Sequence, residues 1–315
     1  MSATPPPLTT SVLETIGNTP VVELRKIVAP ESARVLVKLE YFNPTGSYKD
    51  RMARAMIEEA EARGDLRPGM TVVEFTGGST GSSLAFVCAV KGYRFKVVSS
   101  DAFAREKLRT MRAFGAELTL VPSKGGMVTP DLIPRMVEEA RKLAAEPNAY
   151  WTNQLHNQDM IKGYETLGHE LATQADGTID VFCAGVGTAG MLIGTARGLR
   201  SDMPAVRVVA LEPASAALLS RGVAGAHHVE GIGIGLVPPL LDHTHYDEVR
   251  AIAEEDARAV ARRLAQEEGV FVGTSSGLNV AAALQFAREL GPGQTVATVA
   301  VDTGLKYLDG DLFEV

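Results

Sequence analysis

The chain has 315 residues, 45% of them hydrophobic and 22% charged, and this balance excludes a mainly disordered protein. Its 31 Lys and Arg residues are outnumbered by 38 Asp and Glu residues, so the net charge of −7 disfavours nucleic acid or an anionic membrane surface as a partner. The sequence has no run of 18 apolar residues, so we expect no membrane span.

Cysteine usage and the first residues bear on the compartment. Cys88 and Cys183 stand in separate apolar segments, without the spacing of a redox or zinc motif. The opening residues lack the basic region and apolar stretch of a secretory signal, so we expect a cytoplasmic protein. The histidine pairs at 227–228 and 243–245 lack a convincing third ligand, and we expect no metal.

Valine-rich runs alternate with segments of helical periodicity along most of the chain. The predicted strands are 34–40, 71–75, 94–100, 117–122, 180–186, 206–213 and 295–302. The predicted helices are 48–63, 80–91, 104–114, 130–145, 158–174, 189–200, 256–269 and 278–290. This alternation predicts an α/β protein with mainly parallel sheets flanked by helices.

Two irregular segments interrupt the alternation. The polar segment 146–160 precedes a new strand-helix series and predicts a domain boundary near residue 150. The segment 214–250 has no clear pattern, which is typical of a binding loop or lid.

Lys49 stands at the start of the first predicted helix, where Ser47 is a plausible N-cap. The helical spacing places Lys49 over an apolar stripe that includes Met52 and Ala53, whereas Asp50 lies off that stripe. Burial and the helix dipole both disfavour a charged amine, and a neutral amine is what Schiff-base chemistry needs. A lysine that packs its stem and extends its ammonium to solvent fits the same pattern.

Two glycine-rich loops lead from strands into helices. The first is Thr76, Gly77, Gly78, Ser79, Thr80 and Gly81, whose small residues suit a carboxylate or a phosphate but also a tight turn. The second, GVGTAG at 185–190, matches a dinucleotide fingerprint, with Glu212 at the end of the next predicted strand. A hydroxyl-rich turn at 273–277 precedes the last predicted helix.

Six segments in a fixed order resemble those of fold type II pyridoxal-phosphate enzymes, most closely the cysteine synthase and cystathionine β-synthase family. The resemblance covers about residues 12–313 and also includes TIGNTPVVEL and AFGAELTLVP. The six segments are NPTGSYKDR at 43–51, TGGSTG at 76–81, GVGTAG at 185–190, EGIGIGLVP at 230–238, VGTSSGLNVAAAL at 272–284 and DTGLKYL at 302–308.

The resemblance implies a two-domain tryptophan-synthase-β-like fold. It places a smaller mobile domain at 46–153 and a larger cofactor-phosphate domain at 1–45 plus 154–315. It implies a homodimer that acts on a small amino acid and a small nucleophile.

The resemblance also implies roles for individual residues toward pyridoxal 5′-phosphate. Lys49 would hold the cofactor as a Schiff base and then act as general base. The substrate carboxylate would bind at 76–80 and at Gln154, with Ser79 also near the cofactor. Ser275, with Ser276 as the alternative, would contact the pyridine nitrogen, and residues 231–235 would flank the mouth of the site. The cofactor phosphate would bind Gly187, Thr188, Ala189, Gly190 and Met191.

The sequence departs from the family pattern in both glycine-rich loops. Ser79 replaces the usual asparagine, Ala189 replaces a glycine, and Met191 replaces a hydroxyl residue; these changes bear on the choice of substrate more than on the cofactor. The implied reaction is β-replacement on an activated serine such as O-acetylserine, with sulfide or another small nucleophile. The alternatives are β-elimination of the serine or threonine dehydratase type, synthesis of another β-substituted alanine, a nicotinamide-dependent oxidoreductase that uses Glu212, and a non-catalytic protein on this fold.

Overall fold

Two separate β-sheets organise the computed structural model, which describes residues 8–126 and 131–314. Within these residues the strands are β1 (Val21–Leu24), β2 (Arg34–Leu39), β3 (Thr71–Phe75), β4 (Arg94–Ser100), β5 (Glu117–Val121), β6 (Ala149–Trp151), β7 (Val181–Gly185), β8 (Arg207–Pro213), β9 (Glu248–Ile252) and β10 (Thr295–Ala300). The α-helices are α1 (Lys49–Arg63), α2 (Ser79–Lys91), α3 (Arg105–Ala113), α4 (Leu132–Ala144), α5 (Asp159–Gln174), α6 (Gly190–Asp202), α7 (Leu218–Arg221), α8 (Glu254–Arg263) and α9 (Thr274–Leu290).

The larger sheet has the order β1-β2-β10-β7-β8-β9, and only β1 runs antiparallel to its neighbour. The smaller sheet has the order β5-β4-β3-β6 and is parallel throughout. The central strands β3, β7 and β10 are buried along their whole length, as expected of parallel strands covered on both faces. The predicted α/β class and the seven predicted strands are therefore confirmed.

The helix α1 packs between the two halves of the molecule. Met52 and Met56 lie in the same apolar core as Tyr164 of α5, whereas Ala53 and Ile57 lie in a core beside the smaller sheet. One helix thus contributes to both cores, and its first residue, Lys49, lies where the two halves meet.

Close packing of α5 against α6 positions the loop before α6. A Cβ at Gly194 would lie 2.4 Å from the carbonyl oxygen of Ile161, and one at Gly198 would lie 2.3 Å from that of Glu165. Contacts this short exclude any side chain at these two positions, so glycine lets the helix backbones approach each other. The N-terminus of α6 is fixed relative to α5, and through α5 relative to α1.

The start of α1 differs from the prediction. Tyr48, not Ser47, is the N-cap residue, although Ser47 Oγ still accepts a hydrogen bond from the Lys49 amide at 3.2 Å. The last long helix, α9, begins at Thr274 rather than 278, so Ser275 lies in its first turn. Both differences arise at helix starts, where sequence periodicity is a weak guide to the boundary.

Polar residues of α1 that lie off its apolar stripe are buried as well. Asp50 accepts hydrogen bonds from the Thr45 amide at 2.8 Å and the Thr45 hydroxyl at 2.6 Å. Arg51 pairs with Glu40 at 2.8 Å and with Glu170 of α5 at 2.7 Å. These contacts hold the N-terminal turn of α1, and therefore Lys49, against the larger-sheet half.

Three strands were not expected: β1, β6 and β9. The strand β6 lies inside the polar segment 146–160, which predicts a domain boundary. It was missed because it is an edge strand of only three residues, paired with β3. The smaller sheet lies within residues 46–153 and the larger sheet outside them. That these two parts behave as separate, mobile domains stays a prediction.

No helix among the residues described above has the length and apolar character of a membrane span.

Candidate active site

Lys49 lies beside the carboxyl end of β10. The Tyr48 amide donates to the Val301 carbonyl at 3.1 Å, and the Thr303 amide donates to the Gly46 carbonyl at 3.0 Å. This short main-chain bridge anchors the loop before α1 to the segment after β10. Ligands of parallel α/β sheets bind at the carboxyl ends of strands, so Lys49 is at the expected edge.

The amine of Lys49 is buried, with 8% of the residue exposed. Burial lowers its pKa to about 8, and the negative charge of Asp302 only partly opposes that shift. A substantial fraction of the amine is therefore neutral at mildly alkaline pH. The Lys49 side chain is therefore buried to its amine and does not extend its ammonium to solvent.

The first glycine-rich loop turns from β3 into α2. The Gly78 amide donates to Thr76 Oγ1 at 3.1 Å, which tightens the turn. A Cβ at Gly77 would lie 2.3 Å from the ring of Phe103, so this position has no room for a side chain unless that ring moves. The loop thereby brings the N-terminal amides of α2 to the edge of the smaller sheet, where they can bind an anion.

Gln154 lies beside this loop, although 74 residues separate it from Thr80. Thr80 Oγ1 donates to Gln154 Oε1 at 3.0 Å, and Gln154 Nε2 donates to the Phe75 carbonyl at 2.9 Å. The Glu74 carboxylate accepts hydrogen bonds from the main-chain N–H of Gln154 at 2.9 Å and from the Thr152 hydroxyl at 2.7 Å. The structure thus brings together the loop and the glutamine that the resemblance assigns to one carboxylate.

The second glycine-rich loop turns from β7 into α6. A Cβ at Gly187 would lie 2.3 Å from the carbonyl oxygen of Gly231, and one at Gly190 would lie 2.6 Å from Met160 Sδ. Ala189 adopts a left-handed conformation with φ of 71°, which is where the family pattern has glycine. The first amides of α6 have no intrahelical acceptor and suit a phosphate.

Two adjacent serines at the start of α9 have different environments. Ser276 Oγ accepts a hydrogen bond from the buried Val301 amide at 2.8 Å and is committed to the fold. Ser275, which is 3% exposed, lies instead beside the Tyr307 hydroxyl. The Ser275 hydroxyl therefore faces another side chain rather than the main chain, which makes it the better candidate of the two for contact with a bound group.

A cluster of charged residues that received no role in the sequence analysis adjoins this site. Ser79 Oγ donates to Asp302 Oδ2 at 2.5 Å, and Lys306 Nζ donates to Ser79 Oγ at 3.2 Å. Lys107 of α3 forms an ion pair with Glu230. Asp302 and Lys306 belong to DTGLKYL, and the usable signal was an acidic residue at the carboxyl end of the predicted strand 295–302.

Glu212, the acidic residue on which the nicotinamide alternative depends, already has other hydrogen-bond partners. Both carboxylate oxygens of Glu212 are engaged at the start of the short helix α7, because they accept from the Leu219 amide at 2.7 Å and the Ser220 amide at 2.9 Å. The Ser220 hydroxyl donates to the same carboxylate at 2.5 Å. Glu212 therefore serves the local fold rather than a ribose.

The residues present fit pyridoxal phosphate. A buried amine with a lowered pKa suits an aldehyde, the start of α6 suits a phosphate, and the Ser275 hydroxyl suits a ring nitrogen. A second anion-binding helix start, at α2, is available for the carboxylate of an amino acid. This combination on two mainly parallel sheets defines a fold type II pyridoxal-phosphate enzyme.

Comparison with known proteins agrees with this class. The family model "Pyridoxal-phosphate dependent enzyme" matches residues 12–302. The chain is 42% identical over 305 residues to a cysteine synthase of Staphylococcus aureus (strain N315), covering 96% of each chain. It is 41% identical over 314 residues to O-ureido-L-serine synthase of Streptomyces lavendulae, covering 98% of this chain and 94% of that protein.

Solved structures agree as well. A crystal structure of O-ureido-L-serine synthase matches with a TM-score of 0.89 and 41% identity, covering 98% of this chain and 96% of that one. Cysteine synthase from Entamoeba histolytica matches with a TM-score of 0.91 and 33% identity, covering 100% and 94%. The chain belongs to the pyridoxal-phosphate dependent enzyme family and, within it, to the cysteine synthase group.

Proposed function

We propose that this enzyme catalyses β-replacement on an O-acylated serine, with sulfide or another small nucleophile as the incoming group. The observation that carries the proposal is the arrangement of two anion-binding helix starts around the buried amine of Lys49. One helix start would bind the cofactor phosphate and the other the substrate carboxylate. Relatives named cysteine synthase and O-ureido-L-serine synthase support the same substrate class.

The cofactor-binding residues are assigned from their surroundings. The amides at 187–191 would bind the phosphate, and Lys49 would hold the cofactor through its amine. Ser275 would donate a hydrogen bond to the pyridine nitrogen, and a neutral hydroxyl does not hold a proton there as a carboxylate would. When bound, the cofactor supplies the electron sink that makes the substrate α-proton acidic.

Residues of this chain would then bind the substrate carboxylate and transfer the substrate α-proton. The loop 76–80, with Gln154 beside it, would bind the substrate carboxylate and orient the α-C–H bond toward Lys49. The neutral Lys49 amine would take that proton, the bond from Cβ to the acyl oxygen would break, and the acyl group would leave as a carboxylate. The nucleophile would add at Cβ, and Lys49 would return the proton to Cα.

A second candidate is the synthesis of another β-substituted alanine. The likeness to O-ureido-L-serine synthase favours it, and so do the family departures at Ser79, Ala189 and Met191, which lie in the two ligand loops. Both candidates share the donor and the first half of the reaction, so they differ only in the nucleophile.

The test is the visible absorbance of the purified holoenzyme before and after O-acetyl-L-serine is added. We expect a spectral shift, followed by recovery when sulfide or hydroxyurea is supplied, and mass spectrometry of the product identifies the nucleophile. Pyruvate formed without any nucleophile would indicate β-elimination instead. A spectrum that no O-acylserine changes would contradict the proposed donor.

Lys49 is tested separately. After reduction with borohydride, peptide mapping should find the cofactor mass on Lys49, and Lys49→Ala should lose both this adduct and the activity. Lys162→Ala is the control, because the Lys162 side chain is 60% exposed and pairs only with Glu59 among the residues described. An adduct that persists in Lys49→Ala would exclude this role.

The assembly and compartment are also proposals. The family resemblance supports a homodimer, and two buried free cysteines, Cys88 and Cys183, are compatible with a reducing cytoplasm. Light scattering on the holoenzyme should give twice the chain mass of 33.5 kDa. A monomer at micromolar concentration would contradict the proposed dimer.

A further inference from the structure

Asp302 occupies a fixed position relative to Lys49. It follows β10 by two residues and lies opposite Ser47 in the main-chain bridge between the segment after β10 and the loop before α1. The hydrogen bonds on either side, from Tyr48 to Val301 and from Thr303 to Gly46, hold this register. The backbone of Asp302 is therefore anchored directly to the turn that carries Lys49.

The carboxylate of Asp302 is enclosed and only half engaged. Asp302 is 5% exposed, and its Oδ2 accepts a hydrogen bond from Ser79 at 2.5 Å. Its Oδ1 is buried and makes no hydrogen bond within the described part of the chain. An unpaired buried carboxylate oxygen is costly, so it indicates a charge that some other group compensates.

Lysines compensate that charge. Burial favours the neutral acid, but the charges of Lys306 and Lys107 and the hydroxyls of Ser47 and Ser79 hold the pKa of Asp302 below its usual range. The carboxylate is thus ionised at neutral pH. The same negative charge raises the pKa of Lys49, so Asp302 acts on the Lys49 amine as well as on Lys306.

The other groups that face this carboxylate are neutral or already paired. Burial raises the pKa of Tyr48 and of Tyr307, so both phenols stay protonated. Tyr48 presents its ring to Lys49, with the Nζ atom 4.9 Å from the ring centroid. The titratable and charged groups described around Asp302 are Lys49, Lys107, Lys306, Tyr48, Tyr164 and Tyr307, with Glu230 beside Lys107 and Asp50 beside Lys306.

We propose that Asp302 is a positioning residue for Lys49, whose buried carboxylate stabilises the ammonium that forms when Lys49 accepts the substrate α-proton. The inference rests on the proposed role of Lys49 as general base. In a buried site, a new ammonium without a carboxylate nearby would oppose the proton transfer that creates it. Asp302 offsets this cost without itself contacting the α-proton.

The first test does not depend on turnover. In cofactor-depleted full-length protein, the rate at which added pyridoxal phosphate develops its visible band should follow the neutral fraction of Lys49. Its midpoint in wild type should lie near pH 8, the pKa of Lys49. Asp302→Asn should move the midpoint lower, by about one unit, because it removes a negative charge that raises the pKa of Lys49. Asp311→Asn is the control, because its side chain is 78% exposed and pairs with Arg258 at the surface.

The second test follows the loaded enzyme. With α-deuterated O-acetyl-L-serine, Asp302→Asn should slow the first half-reaction by about 10- to 100-fold and raise its isotope effect, while KM changes little. Asp302→Glu, which keeps the charge, should restore both values in part. A merely structural role would leave the isotope effect unchanged.

The outcomes separate the two proposals. An unchanged midpoint and isotope effect in Asp302→Asn would overturn the role of Asp302 even if the enzyme uses O-acylserine. A shifted midpoint in a protein that rejects every O-acylserine would support Asp302 and reject the proposed donor. If Asp302→Asn does not fold, Ser79→Ala frees the carboxylate from its hydrogen bond, and the midpoint should then rise; a fall would contradict the proposal.

Discussion

Lys107 and Glu230 form an ion pair that joins the two halves of the molecule at the edge of the site. Lys107 lies on α3 beside the smaller sheet, and Glu230 lies on the loop between α7 and β9 beside the larger sheet. The Lys107 side chain is 4% exposed and that of Glu230 is 45% exposed. The pair therefore connects the smaller-sheet half to the loop that includes Gly231.

Loss of this pair should weaken substrate binding more than turnover. We expect Glu230→Gln to raise the KM of the amino-acid donor about three- to tenfold, since a half-exposed pair contributes about 1 kcal/mol. Steady-state kinetics at constant ionic strength measures it, with Glu255→Gln as an exposed control. A kcat that falls while KM stays constant would mean that Glu230 acts on the chemistry instead.

The adjacent serines of α9 make a matched pair. Ser276→Ala should lower the free energy of unfolding by about 1–3 kcal/mol, because it leaves the buried Val301 amide without its acceptor. Ser275→Ala should change stability by less than about 1 kcal/mol but weaken cofactor binding several-fold, since a hydrogen bond contributes about 1 kcal/mol. Urea unfolding and cofactor titration measure the two effects. Reversed results would reassign the cofactor contact to Ser276.

Glu74 should make stability depend on pH. Burial raises its pKa from 4.5 to about 7, against the hydrogen bonds from Thr152 and Gln154 that lower it. Between these values the folded protein binds a proton that the unfolded chain has released. The free energy of unfolding should therefore fall by about 3 kcal/mol as the pH rises from about 4.5 to 7, and then level off.

Glu74→Gln removes this titrating group, so the free energy of unfolding of the variant should depend less on pH between about 4.5 and 7. The measurement is urea unfolding of both proteins at several pH values, in which the stability of the variant relative to wild type should increase as the pH rises. Equal slopes in the two proteins would show that Glu74 is ionised in the folded state throughout.

Gly187 should tolerate no side chain. A Cβ there would lie 2.3 Å from the Gly231 carbonyl oxygen, so Gly187→Ala must displace the loop across it. We expect at least a tenfold loss of cofactor affinity, measured by titration of the visible band. Ala189→Gly is the control in the same loop, because it adds no atom and only relieves a left-handed alanine. Full affinity in Gly187→Ala would mean that the loop can move away freely.

Local sequence patterns predicted most of the strands and helices, but they missed elements that are short. Valine-rich runs placed β3 and β4 at their observed bounds, because parallel strands covered on both faces are rich in apolar residues. The edge strand β6 has only three residues, and its polar flanks resemble a loop. Helical periodicity also could not show that α9 begins at Thr274, since its first turn is hydroxyl-rich like a cap.

Strand-helix alternation was enough to predict the fold class, and short segments in a fixed order carried the family resemblance that implies the cofactor. These features are local, because a glycine turn and a helix N-terminus bind anions wherever they occur. The link between Ser79 and Asp302 spans 223 positions and depends on how two sheets meet. The same holds for the burial that sets the state of Lys49, since desolvation depends on the surrounding side chains and not on sequence neighbours.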